Sequence, residues 1–410
     1  MKPALVYALE VLETLEDAGY QAYLVGGCVR DRLMGREPAD YDVATNALPE
    51  EVQRVFKKTA PTGLKHGTVG VLHTGRMTEV TTFRREKGYS DQRRPDAVEF
   101  VTDLEEDLSR RDFTVNAMAE DRRGNLYDPF GGQEDVAQKK IRAVGVAEDR
   151  FKEDALRMVR GIRFAAQLDF TMDPQTESAF SRTKEDLRVI AVERVVAEMK
   201  KLLQSPSPSQ GVKHLWKHQL FNFLPPFHRW EGIQAEATYP LSLLDSLQGT
   251  GSRWACLLMM CGVNQETFSS CLRSFRLSSK EISQITAIFQ IAIRPRDWQS
   301  ERAAKRRVVL HGWDALRQGV ELAGGISGLS SEERNLQNKR IQGWYEEMPV
   351  RSAAELAIDG RDLIQATGFE PGAWIGKALH ELLLQAALGD LPNEKERLIE
   401  EGCRFGKENT

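Results

Sequence analysis

The sequence predicts an α+β N-terminal head with a small mixed β-sheet, followed by a region that is all α-helical. Short strand-like runs alternate with helical patterns as far as Ala147, and strand signals fade beyond that residue. At 410 residues, the chain is also long enough for more than one domain. We therefore expect a compact α+β head and a longer helical part.

The composition is that of an ordinary globular protein, with 41% hydrophobic and 28% charged residues. A net charge of -4 excludes a uniformly basic nucleic-acid binder but leaves room for a local basic face. Five cysteines without a C-x-x-C pair favour a reducing compartment over a disulfide framework. The acidic, amphipathic N-terminus is unlike a signal peptide, so we expect a cytoplasmic protein without a membrane segment.

The head is predicted element by element. Apolar spacing indicates helices, β-branched runs indicate strands, and glycines mark the turns. Residues 84–99 hold nine charged residues among 16 and are predicted to be an exposed loop. The other predicted elements are a helix through Leu5 and Leu12 ending at Gly19, a strand at 23–25, a helix at 28–34, a strand at 40–45, and a hairpin of 68–72 and 78–83 that turns at Gly75.

The remainder of the chain has the spacing of helices. Two are well marked, at 156–166 and 192–203, and the segment Ser205-Pro-Ser-Pro-Ser209 predicts a linker or a tight corner after the second. Breaks are predicted at Gly324-Gly325 and Pro371-Gly372.

Three acids form the first candidate site. On a strand, Asp40 and Asp42 would project from one face, and two carboxylates on a rigid strand suit Mg²⁺. Glu79 in the predicted hairpin would be a third carboxylate that helps hold metal or accepts a proton from an attacking hydroxyl. Solvated acids near a loop and an exposed hairpin acid are the plainer interpretations.

A glycine pair precedes these acids. Gly26-Gly27 at a strand-to-helix junction lets backbone N–H groups approach an anion, and Arg30 one turn later can reach a phosphate. An ordinary glycine turn fits the pair equally well. Since no Walker A or G-x-G-x-x-G pattern is present, any triphosphate cradle here is of a different kind.

Two polar stretches complete the candidate site. Arg111 can neutralise phosphate, while Asp112 and Asn116, taken as i and i+4 on a helix, could hold a ribose hydroxyl. Residues 154, 157, 160 and 163 step by three along a predicted helix face. Surface ion pairs on capped helices remain the alternative for both stretches.

The aspartate and arginines of the second stretch, Asp154, Arg157, Arg160 and Arg163, could select a base without a template. Cytosine and adenine both present an amino donor beside a ring-nitrogen acceptor. Asp154 can accept from the amino group and Arg157 can donate to the ring nitrogen. Guanine and uracil reverse this arrangement, so each buried group left unpaired would lose about 1–3 kcal/mol.

Together these stretches resemble the class II CCA-adding enzymes, the tRNA nucleotidyltransferases of the bacterial type without an HD domain in the polymerase-β-like superfamily. The resemblance covers roughly the first half of the chain. The motifs that carry it are LVGGCVRDRLMG (24–35), DYDVAT (40–45), EVTTFR (79–84), RRDFTVNAM (110–118), DPFGG (128–132), EDALRMVRGIRFA (153–165) and ERVVAEMKKLL (193–203).

The resemblance implies template-independent addition and repair of the 3′-terminal CCA of tRNA, using CTP and ATP, with two Mg²⁺ ions on Asp40 and Asp42. Gly27 and Arg30 would hold the triphosphate, and Arg111, Asp154, Arg157, Arg160 and Arg163 would line the nucleotide pocket. It implies a catalytic head (1–147), a base-reading neck (148–206), and a tRNA-binding body (207–310) and tail (311–410). The segment 84–99 matches the family's flexible loop, and relatives suggest a homodimer.

A tRNA acceptor arm requires basic surface, because phosphate contacts dominate affinity. We expect it at 182–217 and 294–307, with Lys305, Arg306 and Arg307 as the sharpest cluster. Solvated helix faces are the alternative for either patch. Trp216, Trp230 and Trp254 are expected in the core, and the seven histidines, including His214, His218 and His311, are expected to be structural or exposed.

Three other functions stay open at this stage. A bacterial poly(A) polymerase shares the head motifs, and a CC-only or A-only adding enzyme is a closer variant. A non-catalytic tRNA-binding protein is the alternative from another class. Intact Asp40 and Asp42 beside an anion cradle favour the enzyme.

Overall fold

The structure is a computed structural model that describes residues 4–73, 75–88, 97–230, 233 and 236–409. The chain divides into two compact units, Met1–Ala235 and Glu236–Thr410. Within the described ranges, every strand belongs to the first unit, and the second is helical. The predicted α+β head followed by an all-α region is therefore confirmed, and the finer division into head, neck, body and tail stays a prediction.

The head is built on a mixed sheet of seven strands. The strands from the head's N-terminal end onward are β1 (Ala22–Val25), β2 (Asp42–Thr45), β3 (Thr59–Gly63), β4 (Thr68–His73), β5 (Arg76–Thr82), β6 (Arg84–Lys87), β7 (Ala97–Phe100), β8 (Ala119–Glu120) and β9 (Leu126–Tyr127). The order in the sheet is β3-β4-β5-β2-β1-β8-β9, and β6 pairs with β7 separately. Strands β2 and β5 run parallel, whereas the other neighbours in the seven-stranded sheet are antiparallel.

Ten α-helices accompany these strands among the described residues of the first unit. They are α1 (Ala4–Asp17), α2 (Gly27–Leu33), α3 (Pro49–Val55), α4 (Leu104–Ser109), α5 (Gly132–Ala137), α6 (Ala147–Glu153), α7 (Leu156–Leu168), α8 (Pro174–Thr183), α9 (Val192–Gln204) and α10 (Pro208–Lys217). Short 3₁₀ turns occur at 64–66, 114–116, 184–189, 220–222 and 227–229, and β10 (Lys140–Ile141) pairs in parallel with β11 (Thr171–Met172).

The two faces of the sheet have different coverings. Leu24 and Val43 pack with Leu12 of α1 in the main core of the head. Their neighbours Val25 and Ala44 face the other way, because successive side chains of a strand alternate between faces. Asp42 is two residues from Ala44 and therefore shares the face opposite α1, at the beginning of β2.

The hairpin predicted in the head is confirmed. Strands β4 and β5 pair antiparallel from Thr68↔Thr81 to His73↔Arg76, and Gly75 in the turn has φ +90°. A glycine tolerates this left-handed backbone without the clash that a Cβ would cause. The predicted strand 40–45 is shorter than expected, since β2 begins at Asp42 and Asp40 precedes it.

The prediction of an exposed loop over 84–99 is wrong at both ends. Strands β6 and β7 pair antiparallel from Arg84↔Phe100 to Lys87↔Ala97. The charges do not prevent pairing, because charged side chains of the ribbon have partners of opposite sign, as in the ion pair of Arg84 with Glu86 at 2.8 Å. Residues 89–96 of the predicted loop lie outside the described residues.

The second unit consists of helices. Its helices are α11 (Leu243–Ser246), α12 (Thr250–Met260), α13 (Phe268–Ser274), α14 (Ser279–Ile293), α15 (Glu301–His311), α16 (Trp313–Ile326), α17 (Ser331–Glu346), α18 (Gly360–Thr367), α19 (Ala373–Leu388) and α20 (Lys395–Asn409). The break predicted at Pro371-Gly372 is confirmed just before α19, but the break at Gly324-Gly325 is wrong. Both glycines lie inside α16, where a Cβ would come within 2.8 Å of Arg334 and 2.3 Å of Leu243. They serve close packing and do not end the helix.

Remaining expectations about the helical region mostly hold. Helices α7 and α9 agree with the predicted 156–166 and 192–203, and Ser205–Ser209 is a tight corner because α10 begins at Pro208. Trp254 is buried in the core, while Trp216 and Trp230 are partly buried against Phe221 and Phe227. Over the described part of the chain, no helix has the length and apolar character needed to cross a bilayer.

Candidate active site

Sheet register places the acids next to one another. Because β2 and β5 are parallel neighbours, Asp42 pairs directly with Glu79, and the next pair, Val43 and Val80, points into the core. Desolvation by the surrounding protein, followed by the negative charge of Glu79, raises the pKa of Asp42, and Asp40 adds to the same effect. The arrangement therefore concentrates negative charge at one end of β2. Glu79 is exposed, as the plainer interpretation of a hairpin acid expects.

Arg111 supplies positive charge opposite these acids, since it lowers the pKa of Asp42 in opposition to Glu79. The backbone at Gly26 has φ +76°, and a Cβ there would lie 3.0 Å from Nη1 of Arg111. A glycine is thus required both by the backbone and by the guanidinium. Arg111 is fixed from behind by buried Asp107, whose Oδ2 accepts from Nη2 at 3.1 Å.

Arg30 of α2 belongs to a buried polar network. Its Nη1 donates to Oδ1 of Asn116 at 2.5 Å, and its Nε and Nη2 donate to Oδ1 of Asp31. Asn116 in turn donates from Nδ2 to Oδ1 of Asp112 at 3.3 Å. The helix predicted for Asp112 and Asn116 is wrong, because α4 ends at Ser109 and only 114–116 form a 3₁₀ turn. Their predicted proximity is nevertheless observed.

The arginines of α7 each have an acidic partner. Nη1 of Arg157 donates to Glu153 at 2.8 Å, and Nε of Arg160 donates to Asp112 at 2.8 Å. The pKa of Asp112 would rise on burial, but the guanidinium of Arg160 outweighs this effect and holds the pKa below its usual value. Asp112 therefore stays ionised and links the head to α7.

Arg163 is the most enclosed of the three. Its Nε donates to Oε2 of Glu198 on α9 at 2.5 Å, and its guanidinium stacks on Phe164 with 3.7 Å between Cζ and the ring centroid. Burial lowers the pKa of Arg163, and the charge of Glu198 partly offsets this. The predicted surface alternative for this stripe, a salt-bridged face in solvent, does not describe Arg163, which is 5% exposed.

Asp154 is not part of the α7 stripe, so the prediction of one continuous helix from 154 to 163 is wrong. Helix α6 ends at Glu153, and Asp154 stands in extended conformation before α7, where its Oδ1 accepts from the backbone N–H of Leu156 at 3.1 Å. Its partner is Arg194 of α9, which donates to both carboxylate oxygens at 3.1 and 2.6 Å. This bidentate pair fixes the plane of the carboxylate.

Most of the predicted site residues line one polar cleft of about 1120 Å³ in the first unit, whereas Glu79 is not part of its lining. Nine arginines contribute to its lining within the described residues, so the cleft suits a strongly anionic ligand. Its lining includes every predicted nucleotide-binding residue and both predicted metal ligands: Gly27, Arg30, Asp40, Asp42, Arg111, Asp112, Asn116, Asp154, Arg157, Arg160 and Arg163.

Several residues of the cleft were missed from the sequence. Arg84, Arg110 and Lys201 also line it, and Arg194 holds Asp154. Arg194 and Glu198 stand at i and i+4 in the stretch already singled out at 193–203, so that spacing was the available signal. The spacing does not indicate that Glu198 contacts Arg163 of α7 or that Arg194 contacts Asp154, two residues before α7.

The basic cluster of α15 lies in the second unit. Lys305 is 7% exposed, and its Nζ donates to Glu301 at 2.6 Å, so its ammonium already has an acidic partner; its contact with tRNA stays a prediction. Arg307 forms an ion pair with Asp297. Arg306 is exposed and remains available to an anionic partner. Trp298, beside this patch, is buried and donates from Nε1 to the backbone of Ile291.

Comparison with known families divides the chain into three matched segments. Residues 22–142 match the Poly A polymerase head domain, and residues 246–401 match domain 2 of the tRNA nucleotidyltransferases. Between them, residues 169–230 match a segment described as "Probable RNA and SrmB- binding site of polymerase A". The cleft thus includes residues of the matched head domain.

Full-length relatives agree with these segments. The chain is 39% identical over 401 residues to a CCA-adding enzyme of Bacillus velezensis, covering 98% of each chain. It is 40% identical over 404 residues to one of Geobacillus sp., covering 98% of this chain and 97% of that one.

A solved structure extends the likeness to three dimensions. The crystal structure of the Bacillus stearothermophilus CCA-adding enzyme in complex with CTP superposes with a TM-score of 0.78 at 35% identity, covering 100% of both chains. Similarity over the whole length, together with the matched head domain, identifies the family. The chain belongs to the CCA-adding enzymes.

Proposed function

We propose that this protein adds and repairs the 3′-terminal CCA of tRNA, using CTP and ATP and no nucleic-acid template. The observation that carries the proposal is a single cleft that is lined by the carboxylates of Asp40 and Asp42, by many arginines and by the fixed Asp154. The tRNA 3′-hydroxyl oxygen attacks the α-phosphorus of the bound triphosphate. The bond from that phosphorus to the bridging β-oxygen breaks, and pyrophosphate leaves.

The arginines and the glycine pair fit the triphosphate part of the substrate. Arg111 lies against Gly26, Arg30 lies one turn into α2, and both line the same cleft as Asp40 and Asp42. Guanidinium groups bind phosphate in a planar, bidentate manner and keep their charge in a buried site. Their ion pairs with Asp107 and Asp31 orient them without using all five donors of each group.

Asp40 and Asp42 would hold Mg²⁺, two ions per site in our proposal. Carboxylate oxygens are suitable ligands, and the pKa of Asp42 is raised first by desolvation and then by the negative charge of Glu79, which a cation would offset. When bound, such ions stabilise the charge that develops on the attacking and leaving oxygens. Glu79 stands beside Asp42 and either adds a further oxygen ligand or accepts the proton of the hydroxyl.

Asp154 and Arg157 are proposed to read the base. Arg194 uses one acceptor site on each Asp154 oxygen, and the backbone N–H of Leu156 uses a second one on Oδ1. A carboxylate has about four such sites, so Oδ2 of Asp154 can still accept from an exocyclic amino group. Arg157 gives one N–H to Glu153 and another to the backbone of Arg110, which leaves donors for the ring nitrogen of cytosine or adenine. Arg160 and Arg163 complete the wall of the pocket.

A nucleotide-omission assay tests this function. End-trimmed tRNA is incubated with CTP and ATP together and with each nucleotide alone, and products are separated at single-nucleotide resolution. We expect three added residues with both nucleotides and two with CTP alone on a fully trimmed end. A long adenylate tail, or addition limited to CC or to A when both are supplied, would contradict the proposal. We further propose that the reaction takes place in the cytoplasm.

A further inference from the structure

A second group of ligand-type side chains lies outside the cleft. Nδ1 of His214 and Nε2 of His218 stand 2.9 and 2.7 Å from the same atom, Oε1 of Glu177. All three ligand atoms lie within 4.8 Å of one another. Two imidazole nitrogens and one carboxylate oxygen form a set that Zn²⁺ accepts in proteins, at about 2.0–2.2 Å from each atom.

Secondary structure holds these groups in place. His214 lies in the last turn of α10 and His218 caps it, so their i,i+4 spacing places both rings on one side. The rings are nearly parallel, at 4° with 6.3 Å between centroids. Glu177 comes from the first turn of α8. The three side chains are 12–18% exposed, which shields the group but leaves a route from solvent.

The ammonium of Lys217 already contacts Glu177, so a metal ion would compete with it for this carboxylate. Nζ of Lys217 donates to Oε1 of Glu177 at 2.9 Å, so three donors converge on one oxygen. The Lys217 side chain is 56% exposed and can turn into solvent. A metal ion between the two nitrogens and the oxygen would supply the positive charge that the ammonium now supplies.

We propose that Glu177, His214 and His218 bind one divalent transition-metal ion of the Zn²⁺ class and thereby fasten α8 to α10. Imidazole nitrogens favour Zn²⁺ and its neighbours, whereas Mg²⁺ prefers oxygen ligands, so this site and the carboxylates of the cleft take different cations. The His-x₃-His spacing was visible in the sequence, but the contribution of Glu177 from another helix was not.

The proposed metal site lies in elements that support α7, the helix that carries Arg157, Arg160 and Arg163. Gly211 of α10 lies so close to α7 that a Cβ there would be 3.3 Å from Cβ of Ala166 and 2.3 Å from Leu202 of α9. Gln210 also donates to the backbone of Phe170 just after α7. An ion that ties α10 to α8 would therefore stiffen the support of α7.

Cobalt titration of the full chain tests the proposal. The chelator-treated protein carries Asp42→Asn, so that the carboxylates of the cleft contribute less, and Co²⁺ binding is followed by visible absorption and calorimetry. We expect one Co²⁺ per chain with the spectrum of a four-coordinate site that includes nitrogen ligands. His214→Gln and His218→Gln should each weaken binding at least about 100-fold. His380→Gln is the matched control, because His380 is exposed on α19, and it should leave binding unchanged.

Lys217→Ala gives a second, independent result. Removing the competing ammonium should tighten Co²⁺ binding at least about tenfold, since a like charge beside the site disfavours a cation. Circular dichroism verifies that each variant is folded. Absence of Co²⁺ binding by the parent chain, unchanged binding in both histidine variants, or unchanged or weaker binding in Lys217→Ala would overturn the proposal.

Discussion

At the scale of single residues, two carboxylates share one end of the parallel pair β2 and β5. Asp42 and Glu79 repel each other, as the raised pKa of Asp42 indicates, and only a cation or a proton relieves the repulsion. This repulsion lowers the free energy of unfolding slightly, and it provides a site that binds a cation.

Asp42→Asn should therefore separate activity from stability. We expect nucleotide addition to fall by about 10²–10³-fold or more, because a charged group that acts at the reacting phosphate is removed. Thermal stability should stay equal or rise, since the repulsion with Glu79 disappears. Single-turnover addition to end-trimmed tRNA and thermal unfolding measure the two effects. Full activity in this variant would contradict the assignment of Asp42.

The raised pKa of Asp42 also sets the direction of a pH effect. The native state holds this proton more tightly than the unfolded chain, so the stability due to protonation is present at low pH and is lost as pH rises through the raised pKa. Activity follows the opposite course, because the ionised form is the one that binds a cation. We expect the acid limb of kcat/KM to move to lower pH in Glu79→Gln, measured at a Mg²⁺ concentration well below saturation, where a bound cation does not already offset the charge of Glu79. A limb that does not move would show that Glu79 does not act on Asp42.

The base-reading role of Asp154 has a test that uses its partner. In Asp154→Asn the amide oxygen can remain on Arg194, which turns the NH₂ group toward the base, so a donor replaces an acceptor. We expect discrimination against UTP to fall by about 10–100-fold. Opposite uracil, the unpaired carboxylate of Asp154 costs about 1–3 kcal/mol, and the amide of the variant would avoid this cost. Asp169→Asn, a change of the same kind at an exposed residue, is the control. Unchanged preference for CTP and ATP over UTP would remove Asp154 from base selection.

Residue types and spacing predicted most of the candidate site but not its pairings. The chemistry of Gly27, Arg30 and Arg111 predicts that they bind phosphate, and all three line the cleft. The partner of Asp154 was not predictable, because Arg194 lies 40 residues further along the chain and its contact depends on helix packing. The burial of Lys305 was not predictable either, because it too depends on how the helices pack.

At the scale of elements, strand pairing and helix packing explain both the successes and the errors. The hairpin of β4 and β5 follows from alternation and a glycine turn, which are local signals. The parallel pairing of β2 with β5 is not local, yet it alone brings Glu79 to Asp42. Charge density misled the prediction for 84–99, since pairing in a two-stranded ribbon does not require apolar residues.

Helix α7 depends on a close contact at Gly161. A Cβ at this position would lie 2.7 Å from Cζ of Phe113, whose ring is fully buried. Gly161→Ala should lower the free energy of unfolding by about 1–3 kcal/mol through overpacking, despite the better helix propensity of alanine. Gly343→Ala in α17 is the matched control, because nothing lies within 4 Å of the added Cβ, and it should raise stability by up to about 1 kcal/mol. Denaturant unfolding measures both, and equal effects would refute the packing argument.

At the scale of the whole molecule, the chain carries a polar, arginine-lined cleft in its first unit and helices in its second. The near balance of acidic and basic residues was predicted to hide a basic face, and the cleft agrees with that prediction. The tRNA footprint in the helical region stays a prediction, with Arg306 as its exposed representative.

Arg306 and its neighbour Lys305 offer a matched pair for that footprint. Arg306→Ala should weaken tRNA binding and reduce the dependence of log Kd on log salt by about one phosphate contact. Lys305→Ala should chiefly affect stability, because its ammonium is buried against Glu301. Filter binding across a salt series distinguishes them. Equal loss of tRNA affinity in both variants would contradict the assignment of Arg306.

In our proposal one cleft serves two purposes, phosphate chemistry at Asp40 and Asp42 and base selection at Asp154. A crystal structure of the protein with CTP and Mg²⁺ tests this most directly. We predict density for the triphosphate beside Asp40 and Asp42, with the amino group of cytosine within hydrogen-bond distance of Asp154 and its ring nitrogen facing Arg157. A nucleotide bound elsewhere, or bound here with its base turned away from these two side chains, would contradict the account.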